Sequence, residues 1–295
     1  MFKGIYTPML TIFNDEGGIN KEATSALIEK LISDGVDGIV ALGSTGEFFS
    51  LSLAEKKEYV KFVGEVISGR IKFLIGTGSN NIEEVIELNH FAEEINADAV
   101  LVVTPYYFSL NEQHLYEYYS IIARNTKLPI ILYNFPDRTG TNLSADFIYR
   151  LVTDFKNIVG VKDTIDSISN VRKFSEKIRK IRSDFSIFSG FEEYLIPNLL
   201  SQGAGIIGGL TNVNAKVFIN TYKAFLDKDV DKLLICQSKI NKLMEMYSLL
   251  DPFIITLKEA VSIRLNININ TSLKNYSIKA DEDIRNKIKD LINIE

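Results

Sequence analysis

The segment Asn157-Ile158-Val159-Gly160-Val161-Lys162-Asp163-Thr164 is an apolar run that ends in a lysine and a polar pair. Such a run is typical of a buried parallel strand, and the polar pair is typical of the loop that leaves it. A lysine at the end of such a strand lies over the mouth of a pocket. Burial disfavours the ammonium form and favours a free amine that can attack a carbonyl, as in Schiff-base enzymes. A solvated or ion-paired lysine at a strand end is the alternative.

Short apolar runs alternate with longer amphipathic stretches along most of the chain. The predicted strands are 4–10, 38–42, 73–76, 99–103, 130–133, 158–161, 185–188 and 205–207. The predicted helices are 20–34, 53–68, 81–96, 111–125, 144–154, 166–182, 191–202 and 214–226. Eight nearly equal strand–helix units predict an α/β fold, a closed (β/α)8 TIM barrel over residues 1–227. A doubly wound open sheet is the alternative, but no nucleotide-type glycine turn follows the first strand.

The strand pattern stops near residue 228, and the rest of the chain is predicted to be helical. The predicted helices are 231–249, 252–265 and 281–294. The stretch 266–270 alternates like a strand, and we interpret it as an extended connector. Because no linker rich in Gly, Ser or Pro precedes this part, we expect residues 228–295 to form a helical segment packed on the barrel.

The composition argues against several classes of function. The net charge of −5, without blocks of Lys and Arg, argues against a nucleic-acid partner. The single cysteine, Cys236, excludes an internal disulfide and fits a reducing cytoplasm. With only His90 and His114 besides, the sequence offers no ligand cluster, and we expect no metal. We also expect no organic cofactor, because an imine on a lysine is itself the electron sink. No apolar run reaches the roughly 18 residues of a membrane span. The chain begins directly with strand-like sequence, so we expect no signal peptide, no membrane partner and a cytoplasmic location.

The active sites of such barrels lie at the carboxyl ends of the strands, and this rule selects candidate residues. Lys162 is the only lysine at such a position in the predicted fold. The turn Gly43-Ser44-Thr45-Gly46 offers backbone amides and two hydroxyls, which suit a carboxylate. A tight turn that caps the next helix is the alternative for this segment.

Aromatic and basic side chains follow the fourth and fifth predicted strands. A phenol such as that of Tyr133 or Tyr107 can move a proton when it bonds to a hydroxyl such as that of Ser44. Burial as packing residues is the alternative for both tyrosines. Arg138 can bind a carboxylate through two hydrogen bonds, or it can pair with Asp137 or another loop acid.

The stretch Gly203-Ala204-Gly205-Ile206-Ile207-Gly208 matches the dinucleotide fingerprint G-x-G-x-x-G. Its glycines run through the eighth predicted strand, whereas the fingerprint joins a strand to a helix. We therefore interpret the match as chance and expect close backbone approach at these glycines.

Four short motifs occur in a characteristic order and spacing: Gly-Ser-Thr-Gly-Glu at 43–47, Thr-Pro-Tyr-Tyr at 104–107, Tyr-Asn-Phe-Pro at 133–136 and Gly-Val-Lys-Asp-Thr at 160–164. With them the sequence resembles the class I pyruvate-dependent aldolases and synthases, over nearly the whole chain. This family includes dihydrodipicolinate synthase, N-acetylneuraminate lyase and the 2-keto-3-deoxy sugar acid aldolases. The resemblance implies a metal-independent lyase that joins or separates pyruvate and an aldehyde. It also implies a homotetramer built as a dimer of dimers.

The resemblance implies catalytic roles for the candidate residues. Lys162 forms the imine with pyruvate. Tyr133 is the proton shuttle beside Ser44 and Tyr107, and in many members the residue matching Tyr107 comes from a neighbouring subunit. Thr45 and the turn amides bind the pyruvate carboxylate.

The resemblance also implies residues that bind the rest of the substrate. Gly190 and Ile207 fall at positions whose backbone carbonyls line the reacting end. Glu192 and Glu193 resemble the lyase turn in which acids meet sugar hydroxyls. Arg138 resembles the synthase arginine that grips the carboxylate of a semialdehyde.

The choice among family members depends on the sequence around these residues. The stretch 161–167 and the Asp251-Pro252-Phe253 segment resemble the sugar acid aldolases. We therefore expect a 2-keto-3-deoxy sugar acid aldolase. The alternatives are 4-hydroxy-tetrahydrodipicolinate synthase, which Arg138 favours, and N-acetylneuraminate lyase. An inactive barrel that binds a keto acid is the non-enzymatic alternative, and the joint presence of the four motifs disfavours it.

Overall fold

The computed structural model describes residues 1–293, and its eight parallel strands close into a barrel in chain order. The strands are β1 (Gly4–Pro8), β2 (Gly38–Ala41), β3 (Lys72–Gly76), β4 (Ala99–Val103), β5 (Ile130–Asn134), β6 (Ile158–Asp163), β7 (Ser186–Ser189) and β8 (Gly205–Ile207). The predicted (β/α)8 barrel is confirmed. The doubly wound alternative is wrong, because an open sheet does not close on itself.

Twelve α-helices lie within the described residues. They are α1 (Lys21–Asp34), α2 (Leu53–Ile67), α3 (Ile82–Glu94), α4 (Glu112–Arg124), α5 (Pro136–Thr139), α6 (Ala145–Asp154), α7 (Ile168–Ile178), α8 (Leu195–Leu200), α9 (Thr211–Asp227), α10 (Val230–Met244), α11 (Ile254–Leu265) and α12 (Glu282–Ile292). None of these is long and apolar enough to cross a membrane.

Most predicted helices are present with shifted ends. The predicted helix 191–202 is instead a 3-10 turn, Glu192–Tyr194, followed by the short α8. The four-residue α5 was not predicted, since it is too short to show a helical period. The predicted tail helix ends at Ile292 in the structure, and its predicted last residue, Ile294, lies outside the described residues.

The chain divides into two compact units. The first contains Met1–Gly4 and Lys72–Ile207. The second contains Ile5–Ile71 and the chain from Gly208 onward, so that the tail helices share a unit with α1, α2 and α9.

In the first unit, buried strands are covered by amphipathic helices. All five residues of β4 are buried, as expected for a parallel strand covered on both faces. The hydroxyl of Ser144 caps α6 by accepting the amide of Phe147, and α6 then buries one apolar face. A Cβ built at Gly160 would lie 2.8 Å from the Ser186 carbonyl oxygen, so β6 and β7 approach closely where β6 has a glycine.

In the second unit, capping residues set the helix ends. Asn20 caps the start of α1, and Gly35 ends it in the left-handed region with φ of 94°. Ser52 and Glu55 form a reciprocal capping box at the start of α2. The largely buried α11 packs against α1, α9 and α12. These contacts integrate the tail helices into the core of this unit.

The glycine-rich stretch around β8 serves close backbone packing. Gly205 has φ of 137°, and a Cβ there would lie 2.0 Å from the Gly4 carbonyl oxygen. A Cβ at Gly203 would lie 2.0 Å from Oδ1 of Asn198. These contacts confirm the predicted close approach and give the glycines a packing role that requires no dinucleotide.

Candidate active site

Lys162 and Tyr133 lie side by side near the carboxyl ends of β6 and β5. The strand register pairs these two residues directly. The Nζ atom of Lys162 lies 4.3 Å from the centroid of the Tyr133 ring. Lys162 is 5% exposed and Tyr133 is 4% exposed. The predicted burial of the lysine amine is therefore confirmed, and the solvated-lysine alternative is wrong.

A hydrogen-bonded pair follows immediately after these two residues. Asn134 pairs with Asp163 in the strand register, and its Nδ2 donates to Oδ1 of Asp163 over 2.7 Å. The same amide group donates to Oδ1 of Asn142 over 3.0 Å. Its Oδ1 accepts the amide of Leu143 over 2.9 Å. The strand ends that carry Tyr133 and Lys162 are thus tied together by buried polar groups.

The carboxyl of Asp163 is unusual because it is buried. Burial raises its pKa to about 6, against the opposing effect of hydrogen bonds from Asn134 and Asn170. Sequence reasoning did not single out Asn134 or Asp163. The signal available in the sequence was their position, each one residue after a candidate catalytic residue.

In the second unit, the turn that follows β2 carries Ser44 and Thr45. Its backbone enters the left-handed region at Leu42, with φ of 58°, and again at Glu47, with φ of 54°. The amide of Glu47 donates to the Ser44 carbonyl over 3.1 Å. Thr45 is buried and Ser44 is half-buried. The predicted tight turn with two hydroxyls is therefore present.

Tyr107 is exposed in this single chain. The residue is 88% exposed, and its ring packs edge-on against that of Phe108, with ring centroids 5.0 Å apart. The backbone of Tyr107 lies in the left-handed region, with φ of 84°, which is uncommon for a bulky residue. The packing alternative for Tyr107 is therefore wrong in the isolated chain.

Arg138 lies in α5, the short helix that begins two residues after the end of β5, and it is exposed. Its amide donates to the Phe135 carbonyl over 3.0 Å, which helps to form this short helix. Within residues 1–293 its guanidinium makes no ion pair with Asp137. The guanidinium is thus available to a ligand.

Gly190 and Ile207 lie at the carboxyl ends of β7 and β8 in the first unit. Gly190 follows β7, and its amide donates to the Asp163 carbonyl over 2.8 Å. A Cβ there would lie 2.0 Å from Oγ1 of Thr164, so the Thr164 side chain occupies the space of a side chain at 190. Ile207 is the last residue of β8 and is fully buried.

Acidic residues follow β6 and β7. Glu192 is buried in the 3-10 turn. Burial, reinforced by Asp166, raises the pKa of Glu193. The Tyr194 hydroxyl donates to Oδ1 of Asp166 over 2.5 Å, and this hydrogen bond is the main reason that the pKa of Tyr194 rises to about 12. The Asp166–Tyr194 contact was not predicted, since the two residues lie on different loops.

The described residues contain no group of three or more His, Cys, Asp or Glu side chains arranged to hold a metal ion. The two histidines are exposed on α3 and α4, and Cys236 is a free, buried residue of α10.

Comparison with known proteins identifies relatives of the whole chain. Residues 1–295 match the model of the dihydrodipicolinate synthetase family. YagE of Escherichia coli K12, provisionally named a 2-dehydro-3-deoxy-D-gluconate aldolase, is 37% identical over 261 residues, which cover 88% of this chain and 86% of YagE. A crystal structure of YagE in complex with pyruvate superposes with a TM-score of 0.95 and 35% identity, covering 99% of this chain and 98% of that one.

Two further relatives carry different names. YjhH of E. coli K12, provisionally named a 2-dehydro-3-deoxy-D-pentonate aldolase, is 32% identical over 291 residues, or 99% of this chain and 96% of YjhH. A 4-hydroxy-tetrahydrodipicolinate synthase of Methanopyrus kandleri is 35% identical over 231 residues, or 78% of this chain and 76% of the synthase.

Asp163→Asn is expected to remove a pH-dependent loss of stability. The pKa of Asp163 is about 6 in the folded chain, against an ordinary value of 3.8. The folded state thus holds this proton more tightly than the unfolded state does. The resulting stabilisation is complete below the unfolded pKa and is lost as the pH rises through the folded pKa. Between about pH 4 and about pH 7, the free energy of unfolding should fall by about 1–3 kcal/mol less in the variant than in the native chain.

Denaturant unfolding across this pH range measures the difference. Asparagine keeps an acceptor for Asn134, so the hydrogen bond itself survives. Asp227→Asn, at an exposed position, is the control and should leave the profile nearly unchanged. Parallel profiles for Asp163→Asn and the native chain would contradict the account.

Proposed function

The chain belongs to the dihydrodipicolinate synthetase family, and on that basis we propose that it is a 2-keto-3-deoxy sugar acid aldolase. It reversibly cleaves its substrate into pyruvate and a hydroxyaldehyde through a Schiff base on Lys162. The observation that carries the proposal is the buried Lys162 amine, 4.3 Å from the centroid of the Tyr133 ring. A buried amine at the carboxyl end of a barrel strand is where a nucleophile that attacks a ketone is expected.

In the proposed reaction, the Lys162 amine attacks the C2 ketone of the sugar acid and water leaves as the imine forms. The imine accepts the electron pair when the C3–C4 bond breaks. As the aldehyde forms, the Tyr133 phenol accepts the proton of the C4 hydroxyl and passes its own proton along the relay. The resulting enamine takes a proton at C3, and hydrolysis of the imine releases pyruvate. Since the imine is itself the electron sink, the reaction requires neither a metal nor an organic cofactor.

The remaining site residues bind the keto acid and relay protons. Thr45 and the amides of its turn hold the carboxylate, and Ser44 contributes its hydroxyl to the proton relay. The carbonyls of Gly190 and Ile207 line the reacting end. The turn geometry around Ser44 and Thr45, with backbone in the left-handed region at both ends, supports this assignment.

Tyr107 completes the proton relay of a neighbouring subunit in a homotetramer built as a dimer of dimers. Its exposed ring, the exposed ring of Phe108 and its left-handed backbone support a role outside its own chain. We assign the enzyme to the cytoplasm. Residues 1–227 form the catalytic barrel, and residues 228–295 form a helical segment packed on it.

The sugar portion is recognised through its hydroxyls. We assign to the acids after β6 and β7, including the buried Glu192 of the 3-10 turn, the role of accepting hydrogen bonds from a polyhydroxy chain. The names of the two E. coli relatives support a sugar acid substrate. Synthesis of 4-hydroxy-tetrahydrodipicolinate is the second candidate, favoured by the exposed guanidinium of Arg138 and by the M. kandleri relative.

Tyr133→Phe is expected to lower turnover by about 10²- to 10⁴-fold, the usual effect of losing an acid–base group. The phenyl ring preserves the packing against Lys162, so the fold and the imine should persist. Steady-state turnover of a 2-keto-3-deoxy sugar acid measures the effect. Tyr116→Phe is a matched control, because the Tyr116 hydroxyl bonds to Asp154 on the exterior of the same unit. Turnover of Tyr133→Phe within a few-fold of native would remove Tyr133 from the mechanism.

Sugar acid cleavage is expected to exceed aspartate semialdehyde condensation by up to about 10⁴-fold in kcat/KM. A site that binds hydroxyls leaves its own polar groups without hydrogen bonds when the substrate lacks those hydroxyls. Both reactions are measured in one preparation, for the native chain and for Arg138→Ala. Arg172→Ala, an exposed residue of α7, is the control. A dominant semialdehyde reaction that collapses only in Arg138→Ala would instead identify a 4-hydroxy-tetrahydrodipicolinate synthase.

A further inference from the structure

A fully buried ion pair joins the turn that carries Ser44 and Thr45 to the tail helix α11. Glu47, the last residue of that turn motif, and Lys258 of α11 both have 0% side-chain exposure and form a salt bridge. The Lys258 ammonium also donates to the Ser272 carbonyl over 2.9 Å. It lies 4.8 Å from the centroid of the Phe13 ring. Burial lowers the pKa of Lys258, and Glu47 opposes this effect.

The second carboxylate oxygen of Glu47 is bound by the tail as well. Its Oε2 accepts the backbone amide of Lys274 over 3.0 Å. The ammonium of Lys274 binds Oε1 of Glu55 over 2.5 Å. Glu55 belongs to the capping box of α2, the helix that follows the turn. The Glu47 carboxylate is therefore fixed from two directions by residues distant in the sequence.

The backbone of Glu47 requires such support. It has φ of 54° and ψ of 36°, a left-handed conformation that is unfavourable for a residue with a Cβ. Gly46, one residue earlier, has no room for a Cβ, which would lie 2.9 Å from the Met9 carbonyl oxygen. The Gly46 carbonyl accepts the hydroxyl of Thr11 over 2.6 Å. The far end of the turn is thus held in one arrangement by packing, by a hydrogen bond and by the ion pair.

A contribution to the stability of the fold does not by itself account for this buried ion pair. Removing two charges from water is costly, and apolar replacements of a buried pair are often neutral or stabilising. A buried pair does, however, restrict its partners to a single geometry. Glu47 lies three residues after Ser44 and two after Thr45, so its position sets where the amides and hydroxyls of the turn point.

We propose that Glu47 and Lys258 are positioning residues for the keto acid carboxylate: the tail helix α11, through Lys258, holds the turn 43–47 in the conformation that binds it. This rests on the proposed function of Thr45 and the turn amides. The tail segment then helps to fix the conformation of the binding turn, in addition to packing on the barrel.

The double variant Glu47→Gln/Lys258→Met tests the proposal, since it removes both charges and leaves neither buried alone. In the full-length enzyme, kcat/KM for pyruvate in the condensation direction should fall by about 10- to 100-fold, the effect of a small misplacement of binding groups. This loss in kcat/KM should come mainly from a rise in KM for pyruvate. KM for the aldehyde and the urea midpoint should change little.

The matched control is Glu259→Gln/Arg285→Met. Glu259 is the next residue of α11, and its Oε1 binds Nε of Arg285, a residue of α12, over 2.9 Å. This variant removes an ion pair within the tail helices, in which the Arg285 side chain is 43% exposed, and it should leave KM for pyruvate unchanged. An equal rise in both double variants would indicate general loosening of the tail and would overturn the proposal.

The remaining outcomes are also decisive. Native turnover with an unchanged pyruvate KM in Glu47→Gln/Lys258→Met overturns the positioning role and leaves the proposed function intact. No turnover of pyruvate by the native enzyme overturns the proposed function itself.

If the double variant does not fold, Glu47→Gln alone is measured, because its amide oxygen still accepts the Lys274 amide. A folded Glu47→Gln with a raised pyruvate KM supports the proposal, and failure of this variant to fold overturns it.

Discussion

The pairing of β5 with β6 is the constraint on which the candidate site depends. Its register shifts between Ile130 and Ile131, so that Ile131 lies opposite Gly160 and Tyr133 lies opposite Lys162. Side chains alternate along a strand, and a shift of one residue changes which side chains meet. The irregularity near the start of β6 therefore determines that the lysine amine meets the tyrosine ring at the carboxyl end.

Buried polar contacts fix the candidate catalytic groups in each unit. In the first unit, the Asn134–Asp163 hydrogen bond joins the strand ends immediately after Tyr133 and Lys162. In the second unit, Glu47 is held by Lys258 and by a backbone amide of the tail. A buried polar group is costly when it is unsatisfied, so a satisfied network favours one geometry over its neighbours. Such contacts can hold reacting groups more precisely than apolar packing alone.

Much of the fold followed from the sequence because its signals are local. Apolar runs predicted the eight strands, and the run ending at Lys162 predicted a buried amine at a strand end. The pairing of Glu47 with Lys258 was not predictable in this way, because it joins residues far apart in the sequence. The helix that carries Arg138 has only one turn, too few residues for a periodic pattern. The exposure of Tyr107 depends on a local backbone conformation that composition does not specify.

Reduction with borohydride in the presence of pyruvate, followed by peptide mass mapping, tests the central claim most directly. A Schiff base is trapped as a stable secondary amine at the lysine that formed it. The account predicts one pyruvate adduct, on the peptide that contains Lys162, and its loss in Lys162→Ala. An adduct at another lysine, such as the buried Lys258, or no pyruvate-dependent adduct at all, would contradict it.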